Sequence, residues 1–207
     1  MNRRPAEIVG SGYDAMADRF LAWRDTIEGD PSDRWAGELV SRLRPGARVL
    51  ELGCGAGVPH TRRLADTFEV TGVDISPAQI QRARMNVPRS QFVLSDFTEL
   101  DIVPASYDAV ASFYALNHVP RGLLAPLFGD IRTWLAPGGL FLTALGTEDA
   151  EEWTGEWLGV PMFFSSFPPK TNSQLLDEAG FERLLDEVVT FHEPEGDVAF
   201  QWVLARR

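Results

Sequence analysis

The residues with the most chemistry to offer lie in one short run, Arg48-Val49-Leu50-Glu51-Leu52-Gly53-Cys54-Gly55-Ala56-Gly57. An apolar, strand-forming stretch closes on an acid and opens into three glycines at alternate positions. This pattern predicts a strand feeding a turn whose backbone approaches a ligand, because a Cβ at those glycines would obstruct both the backbone angles and the contact. The spacing restricts the ligand. A dinucleotide fingerprint, G-x-G-x-x-G, needs its third glycine at position 58, which is Val58, and a phosphate-cradling loop ends in Gly-Lys-Ser/Thr, which is absent. Cys54 sits inside the turn, either as a thiol activated by a following helix or as a small loop residue.

Two more acids follow at the ends of strand-like runs. Asp74 lies 23 positions after Glu51. An ionised carboxylate there accepts two hydrogen bonds and suits the paired hydroxyls of a ribose; the alternative is a surface loop acid or a cap for the helix that Ser76-Pro77-Ala78-Gln79 starts, with Gln79 closing a capping box. Ile75 packs either on an adenine face or in the core. Asp96, followed by Phe97, is placed to accept from an adenine amine, or serves as a turn residue.

The elements that would position these groups alternate. Strands are expected at 48–53, 69–75, 91–95, 107–113 and 140–145, the last following a Pro137-Gly138-Gly139 turn. Helices are expected around 35–43, over 58–68, from Ser76, and from Thr171-Asn172-Ser173-Gln174 to Gly180. Two closing strands, 181–193 and 198–206, are joined by Glu195-Gly196-Asp197. Such alternation implies an α/β, doubly wound, mostly parallel sheet of right-handed crossovers with an antiparallel strand from the terminal hairpin. In an open sheet of this kind ligands bind beyond the carboxyl ends of the strands, where these acids and glycines fall.

The E-x-G-x-G-x-G run after a strand, with acids at the next two strand ends, resembles motif I and the cofactor site of the class I (Rossmann-like, seven-stranded) S-adenosylmethionine-dependent methyltransferases. From about residue 35 onward the order of elements also resembles that family, including its closing hairpin. The resemblance implies S-adenosylmethionine as cofactor and S-adenosylhomocysteine as product. Gly53, Gly55 and Gly57 would then wrap the methionyl part, with Glu51 orienting the loop and Cys54 a small loop residue. Asp74 would hold the ribose, and Ile75, Asp96 and Phe97 the adenine, with Ser112 and Phe113 completing the cofactor wall. Tyr13-Asp14-Ala15-Met16-Ala17-Asp18-Arg19-Phe20 looks like the family's cap helix, Tyr13 reaching the methionyl end.

The acceptor-facing segment of that resemblance is Ser112-Phe113-Tyr114-Ala115-Leu116-Asn117-His118-Val119-Pro120. It lacks the Asn/Asp-Pro-Pro-aromatic tetrad that holds an amino group of adenine, cytosine or glutamine, and the Pro-Cys nucleophile of cytosine-C5 enzymes. It resembles instead the small-molecule and natural-product members. His118 is the candidate base, its unperturbed pKa lying near working pH, with a structural alternative as a cap for the next helix. Tyr114 is a second catalytic candidate and Asn117 an acceptor-orienting group. His60 is expected on a helix surface, and His192 in a late strand away from the site. Residues 147–170 carry Trp153, Trp157, Met162, Phe163, Phe164 and Phe167. This aromatic insertion would wall an acceptor pocket through Trp153, Trp157, Phe163 and Phe164; the alternatives are a satellite core or a dimer contact.

Composition bounds the rest. The 207 residues suffice for one well-buried domain, 1–207, with 1–33 as a cap segment and 147–170 as a lid insertion. The only cysteine excludes an intrachain disulfide and fits a reducing compartment; with no apolar run of about 18 residues and no secretory leader, a soluble cytoplasmic protein, monomer or homodimer, is expected. The net charge is -11, and residues 148–197 hold thirteen acidic side chains against Lys170 and Arg183. Such a chain repels phosphate backbones, which argues against nucleic acid. The acids either solubilise the surface or favour a neutral or cationic substrate. No metal-ligand pattern stands out. The function expected is methyl transfer from S-adenosylmethionine to O, N or C of a small aromatic or largely apolar metabolite. The other reading is a module that binds the cofactor structurally or for a non-methylating reaction.

Overall fold

The computed structural model describes residues 3–207. Its element order is α1 (Pro5–Arg24), α2 (Ser32–Arg42), β1 (Arg48–Leu52), α3 (His60–Ala65), β2 (Glu69–Asp74), α4 (Pro77–Asn86), β3 (Gln91–Leu94), β4 (Tyr107–Ser112), α5 (Arg121–Trp134), β5 (Leu135–Gly146), β6 (Ala150–Trp157), β7 (Val160–Ser166), α6 (Pro169–Glu178), β8 (Glu182–Glu193) and β9 (Gly196–Arg206). Seven strands form one sheet in the order β3-β2-β1-β4-β5-β9-β8. β1 to β5 pair in parallel, and β9 runs antiparallel to both of its neighbours. This is the mostly parallel, doubly wound sheet with an antiparallel closing strand that the sequence implies.

The pleat sorts successive side chains into two cores. Val49, Ala109, Ala111, Leu140, Leu142, Trp202 and Leu204 face one side, against Trp35 and Leu39 of α2, Leu64 of α3 and Ile80 of α4. Leu50, Leu52, Val110, Phe141 and Val203 face the other, against Phe128, Ile131 and Trp134 of α5 and Leu176 of α6. On the first side Trp35 and Trp202 are fully buried and stack with ring centroids 5.5 Å apart. Chain order reverses between β1 and β4, so the loops leaving those two strands diverge and leave a crevice between them.

A third, smaller core joins α1 to a separate two-stranded sheet made by β6 and β7. Val9 and Met16 of α1 meet Val160, Met162 and Phe163 there. Gly12 allows the approach, since a Cβ on it would lie 2.7 Å from Met162 Cε. The 147–170 insertion is therefore an ordered hairpin, turning at Leu158 and Gly159 with φ 48° and 75°, the positive pair a two-residue turn requires.

Several local expectations change. The helix expected over 58–68 occupies only His60–Ala65, because the chain is still turning at Gly57 and Pro59. Pro137-Gly138-Gly139 does not separate a helix from a strand. It lies within β5 as an irregularity, where Leu135 and Leu140 pair with Tyr107 and Ala109. α6 starts at Pro169, two residues before the expected Thr171, and Asn172 is buried with its amide bonded to Gly146, Phe167 and Gln201. Ser76 caps α4 by accepting from Gln79 N, but the Gln79 amide makes no hydrogen bond, so the box is not closed.

Trp35→Ala empties a fully enclosed site between α2 and the sheet. It should cost about 3–5 kcal/mol, read as a lower urea midpoint with the α/β far-ultraviolet signature retained at zero denaturant.

Candidate active site

The crevice opens into a cavity of about 410 Å³, walled by the strand ends below and by α1 and the β6–β7 hairpin above. Gly53, Cys54 and Gly55, Asp74 and Ile75, Asp96 and Phe97, and Phe113 through Ala115 all line it. These are the carboxyl ends of β1, β2, β3 and β4, so one chamber collects groups scattered over sixty residues of sequence.

The glycine turn is held by backbone geometry and one acid. Gly53 has φ 72°, and a Cβ on it would lie 2.3 Å from the Ala115 Cβ on the β4 loop. Only glycine lets these two loops touch. Asp74 Oδ2 accepts from Gly55 N at 2.8 Å and Oδ1 from Ser76 N at 2.9 Å, so its carboxylate joins the glycine turn to the start of α4. Both oxygens keep a lone pair for another donor. Burial pushes this carboxyl up to about 6, against the pull of the backbone N–H groups. Asp96 Oδ1 takes Thr98 N and Thr98 Oγ1 at 2.9 and 2.7 Å, leaving Oδ2 without a bond among the described residues.

Not every expected cofactor residue reaches the cavity. Gly57 is not on the wall; with φ 75° it faces the α4 end, where a Cβ on it would lie 3.2 Å from Val87 and 3.3 Å from Ala83. Ser112 is fully buried and donates to Leu52 O at 3.2 Å, pinning β4 to β1. Glu51 lies behind the wall at 1% exposure with Oε2 unpartnered. Its burial pushes the carboxyl up to about 8, with Arg24 opposing and Asp74 reinforcing the shift. Cys54 lines the wall, but burial and the nearby Asp74 and Glu51 hold its thiol well above the usual range, so it is no nucleophile.

The acceptor candidates separate in the same way. His118 lines the cavity. Its Nδ1 is 2.8 Å from Phe163 O, which can only accept, so Nδ1 carries the proton and Nε2 accepts from the Tyr13 hydroxyl at 2.9 Å. Burial lowers this imidazole to about 4. Its lone pair is therefore spent on Tyr13, and Tyr13 carries the hydroxyl on the cavity wall. Tyr114 holds a left-handed φ of 61°, and its hydroxyl donates to Asp30 Oδ1 at 2.6 Å, while burial raises its pKa. Such backbone strain in a non-glycine residue clusters at functional sites. Asn117, Trp157 and Phe164 line the cavity. Trp153 and Phe163 do not: Trp153 is 48% exposed, stacked on its cross-strand partner Phe164, and Phe163 points into the small core.

His60 corrects the expectation of a helix-surface residue. It is buried, stacks on Phe113 with centroids 3.9 Å apart, and accepts from Arg24 Nη2 at 2.9 Å. Its pKa lies well below the ordinary range, through burial first and then the Arg24 charge. His192 is exposed and paired with Asp197. Sequence reasoning also missed Arg24, Asp30, Phe191, Glu193 and Phe200, all on the wall.

Residues 49–139 match the methyltransferase domain family. An uncharacterized methyltransferase of Synechocystis is 29% identical over 147 residues, 67% of this chain and 68% of that protein. The 27-O-demethylrifamycin SV methyltransferase of Amycolatopsis mediterranei is 35% identical over 143 residues, 58% of this chain but 52% of its own length, so the chain spans about half of that relative. Among solved structures, magnesium protoporphyrin IX methyltransferase from Synechocystis, with bound S-adenosylmethionine, superposes with a TM-score of 0.76 over 100% of this chain and 98% of that one, at 17% identity. The fold and site define a Rossmann-like nucleoside-cofactor domain. Residues 49–139 of it carry a methyltransferase domain, whose methyl donor is S-adenosylmethionine.

The residues present fit that cofactor: the turn backbone faces the cavity, Asp74 has lone pairs for two hydroxyls, and Asp96 has an oxygen for an amine. Two outcomes follow. Gly53→Ala, forced against Ala115, should lower affinity for S-adenosylhomocysteine at least about ten-fold by calorimetry. The second concerns pH. A carboxyl whose folded pKa is raised from 4.5 to about 8 binds more protons folded than unfolded between those values, so Glu51 removes stability as pH rises through that window. Glu51→Gln should therefore raise the thermal midpoint of the ligand-free protein at pH 8 and leave it nearly unchanged at pH 4.5, flattening the pH profile.

Proposed function

We propose that this protein transfers a methyl group from S-adenosylmethionine to a small, aromatic or largely apolar metabolite. One observation carries the reading. The cavity that begins at Gly53, Asp74 and Asp96 continues without a break into a chamber walled by Phe20, Trp23, Trp157, Phe164, Phe191 and Phe200. A nucleoside end and an apolar end in one enclosed space suit a donor and an acceptor held together, and orientation supplies much of the rate of such a transfer. When bound, S-adenosylmethionine supplies an already activated methyl group.

The chain's own residues then have definite tasks. Asp74 and Asp96 orient the nucleoside. α1, with Tyr13 edge-on to Phe20 and Trp157, closes the chamber and excludes water. The Tyr13 hydroxyl, fixed by His118, aligns the acceptor atom and accepts its proton as its own proton moves to His118 Nε2. A hydroxyl oxygen that has just gained a methyl is strongly acidified, so a weak base such as a buried histidine suffices. The family match supports methyl transfer over a purely structural use of the cofactor. No helix among the described residues is long and apolar enough to cross a membrane.

Calorimetry should show S-adenosylhomocysteine binding to the wild type and at least about ten-fold weaker binding to Asp74→Ala; no binding to the wild type sinks the reading. With any acceptor that turns over, Tyr13→Phe and His118→Ala should each lower kcat at least about ten-fold while leaving that affinity within about three-fold. Unchanged kcat in both variants would remove the pair from the mechanism.

A further inference from the structure

Resting on that reading of the cavity, the geometry points to a narrower acceptor class: an organic amine whose ammonium, distinct from the atom that takes the methyl, is held by Glu193 at the apolar end of the chamber. The support comes from tracing where each charged or hydroxyl group on the acceptor side spends its hydrogen bonds. Tyr13 donates to His118, and Tyr114 donates to Asp30. Trp23 Nε1 donates to Glu195 at 3.0 Å. Arg24 donates to His60 and lies 3.9 Å from Asp30. Glu193 alone, among the described residues of this kind on that wall, makes no hydrogen bond and no ion pair, although it lines the cavity.

Glu193 is half-buried, and its surroundings disfavour an unpaired carboxylate. Glu193 is the last residue of β8, and the neighbouring wall is Tyr114, Phe191 and Phe200, with Tyr114 and Phe200 centroids 4.8 Å apart and edge-on. Burial first, then the negative charges of Glu195 and Asp30, push the Glu193 carboxyl up to about 7. Glu193 thus faces an aromatic wall whose one buried cation, Arg24, already lies 3.9 Å from Asp30 as that carboxylate's counter-charge. A bound ammonium supplies the missing positive charge. It donates a charge-assisted hydrogen bond to the carboxylate and gains cation–π attraction from the rings, each stronger away from water. An anionic acceptor would meet the like charge of Glu193, and a neutral alcohol would leave the carboxylate without its counter-charge. The aromatic lining accounts for an apolar body on the same molecule.

The probe pair is 2-phenylethylammonium and 2-phenylethanol, the same apolar body with and without the charge, titrated at pH 7.5 into protein saturated with S-adenosylhomocysteine. The ammonium should bind at least ten-fold more tightly than the alcohol. Glu193→Gln should reduce that advantage below three-fold with S-adenosylhomocysteine affinity unchanged. Glu151→Gln, which removes one exposed charge from the hairpin away from the cavity wall, should keep it. Equal or tighter binding of the alcohol, no binding of either probe at millimolar concentration, or an advantage that survives Glu193→Gln overturns the assignment. Failure of the wild type to bind S-adenosylhomocysteine is a separate result, and it overturns the methyl-transfer reading itself.

Discussion

The Asp74 carboxylate, accepting from Gly55 N and Ser76 N, is the interaction on which the rest of the site depends. It fixes the glycine turn after β1 relative to the start of α4, two pieces of chain that leave adjacent strands in different directions. The arrangement buries an anion, and burial raises its pKa, so the two backbone donors are what keep a charged acid tolerable there. Asp14 of α1 then attaches to the same corner, accepting from Ser76 Oγ and Ala78 N. α1 is thereby latched directly beside Asp74, so the roof of the cavity and the corner of the glycine turn become parts of one hydrogen-bonded unit.

From that corner the two halves of the cavity acquire opposite characters. The cofactor half is built from strand ends and backbone, rigid because β1, β2 and β4 are central and buried. The acceptor half is built from α1, the β6–β7 hairpin and the ends of β8 and β9, elements added around the sheet. Their contacts are mostly aromatic: Trp23 and Phe20 of α1 meet Trp157 of β6 with centroids 5.2 and 5.9 Å apart. A shared sheet with exchangeable walls explains how one fold accommodates different acceptors while keeping a single donor site.

The strand order, the turn after β1 and the acids at the ends of β2 and β3 were legible in the sequence because they are local. Strand residues reveal themselves by apolar runs, and the turn by glycines at fixed spacing. The exceptions have the same origin. Gly57 carries the motif's spacing but serves helix packing, Ser112 serves strand-to-strand pinning, and Trp153 is aromatic yet half exposed beside Phe164 and off the wall. Residue type at a position does not say which face of its element meets the cavity. Pro137-Gly138-Gly139 misled for a related reason, since a sheet absorbs a break when neighbouring strands hold both sides of it.

By itself, then, the sequence determined the α/β sheet, the nucleoside end of the site and, through the spacing Gly53, Gly55 and Gly57, the class of cofactor. The acceptor end was decided only by the tertiary structure. Tyr13 meets His118 across 105 positions, Tyr114 meets Asp30 across 84, and Arg24 meets His60 across 36. Each of these pairs joins a residue before β1 to one after it. No periodicity or motif links such positions; their meeting depends on α1 and the hairpin folding over the sheet. A hydrogen bond between distant segments has no local signature, which is why His60 read as a surface residue and the carboxylate of Glu193 went unnoticed until the chain closed around the cavity.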